Sequence, residues 1–95
     1  MYGMRKAPAF DRDVKRCVKK HWDMSAFKEA VVAVLMSDEA GIPLKHKDHA
    51  LGGDLQGMRE LHVGGCSSDW LILYSIDGDV VEFARTGTHD DLFRR

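Results

Sequence analysis

Asp77-Gly78 lies between two runs rich in β-formers, Trp70–Ile76 and Asp79–Ala84, and few dipeptides constrain a fold so tightly. A two-residue Asp-Gly connection suits the right-handed twist of paired strands, so an antiparallel hairpin is predicted. With Asp77 and Gly78 as the turn residues, Ile76 faces Asp79, and the pairs continue Tyr74–Val81, Ile72–Phe83 and Trp70–Arg85. Opposed side chains share a face. One face then carries Ile76, Tyr74, Val81, Ile72 and Phe83, ending in Arg85 beside Trp70 as a cation–π pair. The other carries Leu71, Leu73, Val80 and Ala84 with Ser75 and Glu82. Both faces hold apolar area, and a single layer of helices covers only one, so a partner is expected on the other.

Upstream, Met58–Val63 is a third strand candidate, and Tyr2–Ala7 a short first one that Pro8 keeps extended at Ala7. Phe10, Val14, Cys17 and Val18 recur at helical spacing. A second helix is predicted from about Met24, capped by Asp23, with Phe27, Ala30, Val31, Val34 and Leu35 on one stripe. The short His21-Trp22-Asp23 link makes the two an antiparallel helical hairpin. Gly41 and Pro43 end that region, and residues 44–57 have loop chemistry. The expected architecture is α+β: a short strand, two helices, a mainly antiparallel sheet of three to four strands, and a short C-terminal helix. No repeat or linker divides residues 1–95, which are expected to form one domain.

Fourteen basic and 15 acidic residues leave a net charge of −1, which excludes a simple polycationic nucleic-acid binder. The charge is uneven: residues 1–49 hold ten Lys/Arg against seven Asp/Glu, and residues 50–95 hold four against eight. Contact with RNA would come from local patches such as Arg12-Lys15-Arg16-Lys19-Lys20, Lys45-His46-Lys47 and Arg94-Arg95. Two cysteines, Cys17 on a helix and Cys66 in a Gly-Ser loop, form no disulfide framework, and no run of about 20 apolar residues spans a membrane. A cytoplasmic location is expected.

The chemistry concentrates toward the C-terminus. Thr88-x-x-Asp91 has the spacing of a capping box, which places His89 at the first position of a terminal helix, after Arg85 and before Phe93. The competing reading is a polar tail with one aromatic tucked back. His62 lies on a strand with Glu60 at the alternating position, so the two share a face. Asp69 and Trp70 open the next strand. His46, His49, His62 and His89 allow two chemistries. Metal binding through His46-x-x-His49 with His62 or His89 has weak ligand spacing. Metal-independent phosphodiester cleavage needs a base, an acid and a cation, which histidine and arginine supply.

Four linked segments carry a resemblance: Lys47-Asp48-His49-x-Leu51-x-Gly53, Arg59-x-x-His62-Val63, Asp69-Trp70-x-Ile72-x-Tyr74, and Arg85-Thr86-Gly87-Thr88-His89-x-x-Leu92-Phe93. In order and spacing they resemble the YafQ branch of the RelE/ParE toxin superfamily, over residues 45–93. The resemblance implies a type II toxin that cleaves messenger RNA on the ribosome, touches rRNA, needs no cofactor or metal, and is neutralised by a DinJ- or RelB-like antitoxin. Operator DNA would be reached only through the antitoxin complex. Carried over by motif, His49, His62, Asp69, His89 and Arg85 are the catalytic candidates. Trp70, Phe93, Lys47 and Glu60 would bind RNA or shape the site. Glu60 stands where the branch carries aspartate, and the loop before Asp69 is longer here. The superfamily also contains a non-enzymatic, ParE-like class that binds gyrase, and an inactive antitoxin-binding relative is a further alternative.

Overall fold

A computed structural model describes residues 2–37, 49–64 and 68–93, with His49 described by its backbone. The chain forms β1 (Gly3–Lys6), α1 (Pro8–Lys19), α2 (Met24–Leu35), β2 (His49–Ala50), β3 (Arg59–His62), β4 (Leu71–Asp77), β5 (Val80–Gly87) and α3 (His89–Phe93), with a 3-10 turn at Gly53–Leu55. The strands make one sheet in the order β1-β5-β4-β3-β2. Only the β1–β5 pair is parallel; the other three pairs are antiparallel. The two-residue β2 falls where the sequence carries loop chemistry, because a strand of two residues is too short to show an alternating pattern.

Local chemistry explains the helices. Pro8 opens α1, where a missing N–H costs nothing. His21, at φ 58°, ends it in the left-handed conformation. The Trp22 N–H reaches the Cys17 carbonyl and the His21 N–H reaches that of Val18, the paired bonds of a Schellman closure. The Asp23 carboxylate then accepts from the N–H groups of Ser25 and Ala26, as its capping position predicts.

Both helices pack on one face of the sheet. Phe10, Phe27, Ala30 and Val34 meet Leu61, Val63, Ile72, Tyr74, Val81 and Phe83 in the core. The rings form a continuous series: Trp22 to Trp70 at 4.9 Å, Trp70 to Phe27 at 5.4 Å, Phe27 to Phe10 at 5.9 Å and Phe10 to Phe83 at 5.4 Å. Such contacts add to the apolar burial that drives folding.

The hairpin differs from its predicted register in two ways. The turn residues are Gly78-Asp79, with Asp77 opposite Val80, so Ile76 faces Val81 and Tyr74 faces Phe83. Gly78 has φ 62°, which suits glycine at the first turn position. A bulge then leaves Ala84 without an opposite residue, so that Leu73 faces Arg85 and Ile72 faces Thr86. The extra residue reverses the alternation beyond it. Arg85 therefore leaves the core side, and the predicted Trp70–Arg85 pair does not form. The opposite side of the sheet is not an open apolar surface, since Leu71 and Leu73 are buried there. Among the described residues, the exposed large apolar side chains are Met4, Val18, Val32, Met36 and Ile76.

Gly87 fixes how α3 follows β5. Its φ is 156°, and a Cβ there would lie 3.0 Å from both Cβ and Oδ2 of Asp91 and 3.2 Å from Nη2 of Arg16. Gly87→Ala is expected to destabilise the protein by about 1–3 kcal/mol, the range for forced overpacking. Urea unfolding checks this, and a midpoint equal to that of wild type would refute the close-approach role.

Candidate active site

Strand register places the site. Across the sheet, His49 faces Glu60, Glu60 faces Leu73 and Leu73 faces Arg85. One row along, His62 faces Leu71 and Leu71 faces Gly87, after which α3 begins. The chemistry-bearing positions thus occupy two neighbouring rows at the end of β3, β4 and β5, with Arg85 and Gly87 at the β5 edge beside α1.

The capping box forms as the Thr88–Asp91 spacing predicts. The Thr88 N–H donates to Asp91 Oδ2 at 3.1 Å, and the Asp91 N–H donates to Thr88 Oγ1 at 3.2 Å. Those bonds hold the Asp91 carboxyl below its ordinary pKa, the Thr88 backbone N–H being the main cause. With α3 started there, His89 Nδ1 meets Asp69 Oδ1 at 2.5 Å, and the same oxygen accepts the His89 N–H at 3.4 Å. A carboxylate on Nδ1 selects the tautomer that leaves Nε2 free to take or give a proton. The pair is open to water, with half or more of each side chain exposed. The His89 ring lies 6.3 Å from that of His62 and 5.9 Å from that of Phe93.

His62 is held differently. It is buried, and its Nδ1 contacts the Ser68 carbonyl at 2.6 Å. A carbonyl only accepts, so Nδ1 carries the proton and Nε2 is the variable nitrogen. That nitrogen stands 3.9 Å from Glu60 Oε2, and Glu60 is only 4% exposed. Glu60 thus shares a face with His62 as predicted.

The hydrogen bond from His89 holds the Asp69 pKa below the usual carboxylate value. A depressed folded-state pKa means that the group stabilises the fold above its unfolded pKa, ~3.9, and that this contribution is lost as pH falls through the lower folded value. The Asp69 carboxyl is expected to titrate below ~3.9 in a carbon-detected NMR titration, and to move back up in His89→Ala. A midpoint unaffected by that substitution would contradict the pairing.

The structure separates the remaining sequence candidates. Arg85 turns to α1, where Nε donates to Asp13 Oδ2 at 2.6 Å and Nη2 to Asp13 Oδ1 at 3.2 Å. These bonds raise its pKa further. Trp70 lies on the core side, stacked on Phe27, with its Nε1–H on Thr86 Oγ1 at 2.9 Å. It supports the strand ends that carry the site, and is not placed to stack on a base beside His62. Lys47, His46, Cys66, Arg94, Arg95 and the His49 side chain lie outside the described residues. Among the described residues, no three His, Cys, Asp or Glu side chains gather as metal ligands.

Asp13 and Ser68 lie outside the motifs, and Thr86 and Gly87, although part of the last one, carry no assigned role there. Asp13 did leave a signal. With Phe10 and Cys17 it makes the buried stripe of α1, and a charged residue in such a stripe requires a partner.

A family model for the bacterial toxin of type II toxin–antitoxin systems, YafQ, matches residues 2–94. The chain belongs to the YafQ family. The mRNA interferase toxin YafQ of Escherichia coli K12 is 36% identical to it over 84 residues, covering 88% of this chain and 87% of that one. The crystal structure of YafQ from E. coli BL21(DE3) superposes with a TM-score of 0.83 at 31% identity, covering 98% of this chain and 99% of its own. The toxin in the E. coli DinJ–YafQ toxin–antitoxin complex gives 0.81 at 33% identity, covering 97% of each chain. These likenesses extend over α1 and α2, well beyond the four segments that carried the resemblance in sequence. No helix among the described residues of this YafQ-family chain is long and apolar enough to cross a membrane.

Proposed function

We propose that this YafQ-family toxin cleaves messenger RNA on the translating ribosome without a metal. A ribose 2′-hydroxyl attacks the neighbouring phosphorus, its oxygen forming the new P–O bond as the bond to the 5′-oxygen breaks. One histidine of the His62/His89 pair takes the hydroxyl proton and the other returns a proton to the departing 5′-oxygen. Arg85 offsets charge that grows on the phosphate oxygens. Asp69 fixes the tautomer of His89, Glu60 lies beside Nε2 of His62, and Phe93 forms the wall next to His89. His49 and Lys47 are assigned by motif.

The observation that carries this reading is the convergence of two histidines from separate elements, β3 and α3, one oriented by a carboxylate and the other by a carbonyl. A gyrase-binding module has no need of that arrangement. The E. coli relative is named an mRNA interferase and has been crystallised with DinJ, which supports neutralisation of this chain by a cognate antitoxin of that kind.

The test is translation of a defined message in a purified system, followed by primer extension and analysis of product ends. In-frame cuts bearing a 2′,3′-cyclic phosphate are expected. Intact message accompanied by blocked DNA supercoiling would replace the reading with the gyrase alternative, and 5′-phosphate ends would indicate metal-dependent hydrolysis.

A further inference from the structure

We infer that Asp13, on α1, is a positioning residue for the cleavage reaction: its carboxylate fixes the guanidinium of Arg85 so that one end alone faces the scissile phosphate. This inference rests on the nuclease reading above and extends it to a helix that the sequence motifs do not reach.

Asp13 is 3% exposed and lies at the part of the β5 edge that β1 leaves uncovered, since β1 pairing ends at Lys6 opposite Phe83. Its carboxylate takes the Thr86 backbone N–H at 3.1 Å and the Nε and Nη2 donors of Arg85. Arg16 Nη2 adds a contact at 3.3 Å and reaches onward to Asp91 at 3.7 Å.

Two features separate this arrangement from an ordinary structural ion pair. First, a buried charge pair contributes little net stability over apolar residues of the same volume, so stability alone does not account for an acid in the apolar stripe of α1. Second, the bidentate contact occupies the Nε side of the fork. The Nη1 end, turned away from Asp13, is left for an anion, and Arg85 keeps a little over a third of its side chain exposed. The bulge at Ala84 has already taken Arg85 off the core side. Backbone and carboxylate together fix both the origin and the rotation of the guanidinium. A lysine in place of Arg85 could not bridge an acid and a phosphate in this way, being a point charge and not a fork.

The test measures cleavage of a ribosome-bound message by Asp13→Asn, Arg85→Ala and the double variant, with the maximal rate separated from the toxin concentration giving half of it. Asp13→Asn is expected to lower the maximal rate by about 10- to 100-fold, the scale of a small misplacement of a reacting group, with the half-saturating concentration unchanged. In the Arg85→Ala background it should cost nothing further, since the group it positions is gone. A wild-type rate in Asp13→Asn, or the same fractional loss in both backgrounds, would overturn the inference. If circular dichroism shows that Asp13→Asn does not fold, Asp13→Glu decides. It retains the charge while displacing it by one methylene, and is expected to lower the maximal rate alone; a wild-type rate there also overturns the inference. Wild-type protein that leaves the message whole would instead refute the nuclease reading.

Discussion

Replacing His89 by alanine is expected to lower the rate of message cleavage by about 10²–10⁴-fold, the contribution typical of one positioned acid or base. His89 is reached by three independent constraints: the Gly87 backbone, the Thr88–Asp91 box and the Asp69 carboxylate. The first two do not involve the imidazole, and its pairing with Asp69 is solvent-exposed. Stability should therefore stay within about 0.5 kcal/mol of wild type, which makes the loss of rate interpretable. Single-turnover cleavage on stalled ribosomes is the measurement. Retention of most of the rate would transfer both proton steps to His62 and the motif-assigned His49, and would reduce the Asp69–His89 pair to a surface contact.

The largest effect on stability is expected at Phe83. It is fully buried, paired with Tyr74 across the hairpin and packed on Phe10 of α1, so it joins helix layer to sheet. Phe83→Ala removes a ring from a site whose neighbours are held by backbone pairing on both sides, β1 and β4, and which is slow to collapse. A loss of about 3–5 kcal/mol follows. Against a total of roughly 5–15 kcal/mol this leaves a marginal fold. Equilibrium denaturation with an unchanged slope and a lowered midpoint is the expected result. A loss under about 1 kcal/mol would mean that Phe83 does not anchor the core.

The parts of the fold legible in sequence were those governed by nearest neighbours. The Asp23 cap, the Thr88–Asp91 box and Pro8, which keeps Ala7 extended at the start of α1, each act within a few residues, and each appears where the spacing puts it. The hairpin was legible in kind but not in register. Asp77-Gly78 and Gly78-Asp79 are both acceptable turns, and the two registers differ by two residues, which leaves Val81 and Phe83 on the same face in either. The bulge at Ala84 has no local signature at all. It decides the side on which Arg85 emerges, so the predicted contact with Trp70 gave way to one with Asp13. The histidine cluster was legible through its motifs, and the core-side face of Trp70 through the strand alternation.

The parallel pairing of β1 with β5 bears on the timing of assembly. Gly3 finds its partner at Val80, and Asp13 finds Arg85 and Thr86 across a similar stretch of chain. Contacts of such sequence separation close late, after helices and hairpins that need only local search. Collapse can therefore precede function: a chain with both helices and the β4–β5 hairpin in place still lacks the acid that fixes Arg85. Recovery of cleavage after dilution from denaturant is expected to follow the slowest folding phase, and until β1 docks the β5 edge has no strand beside it.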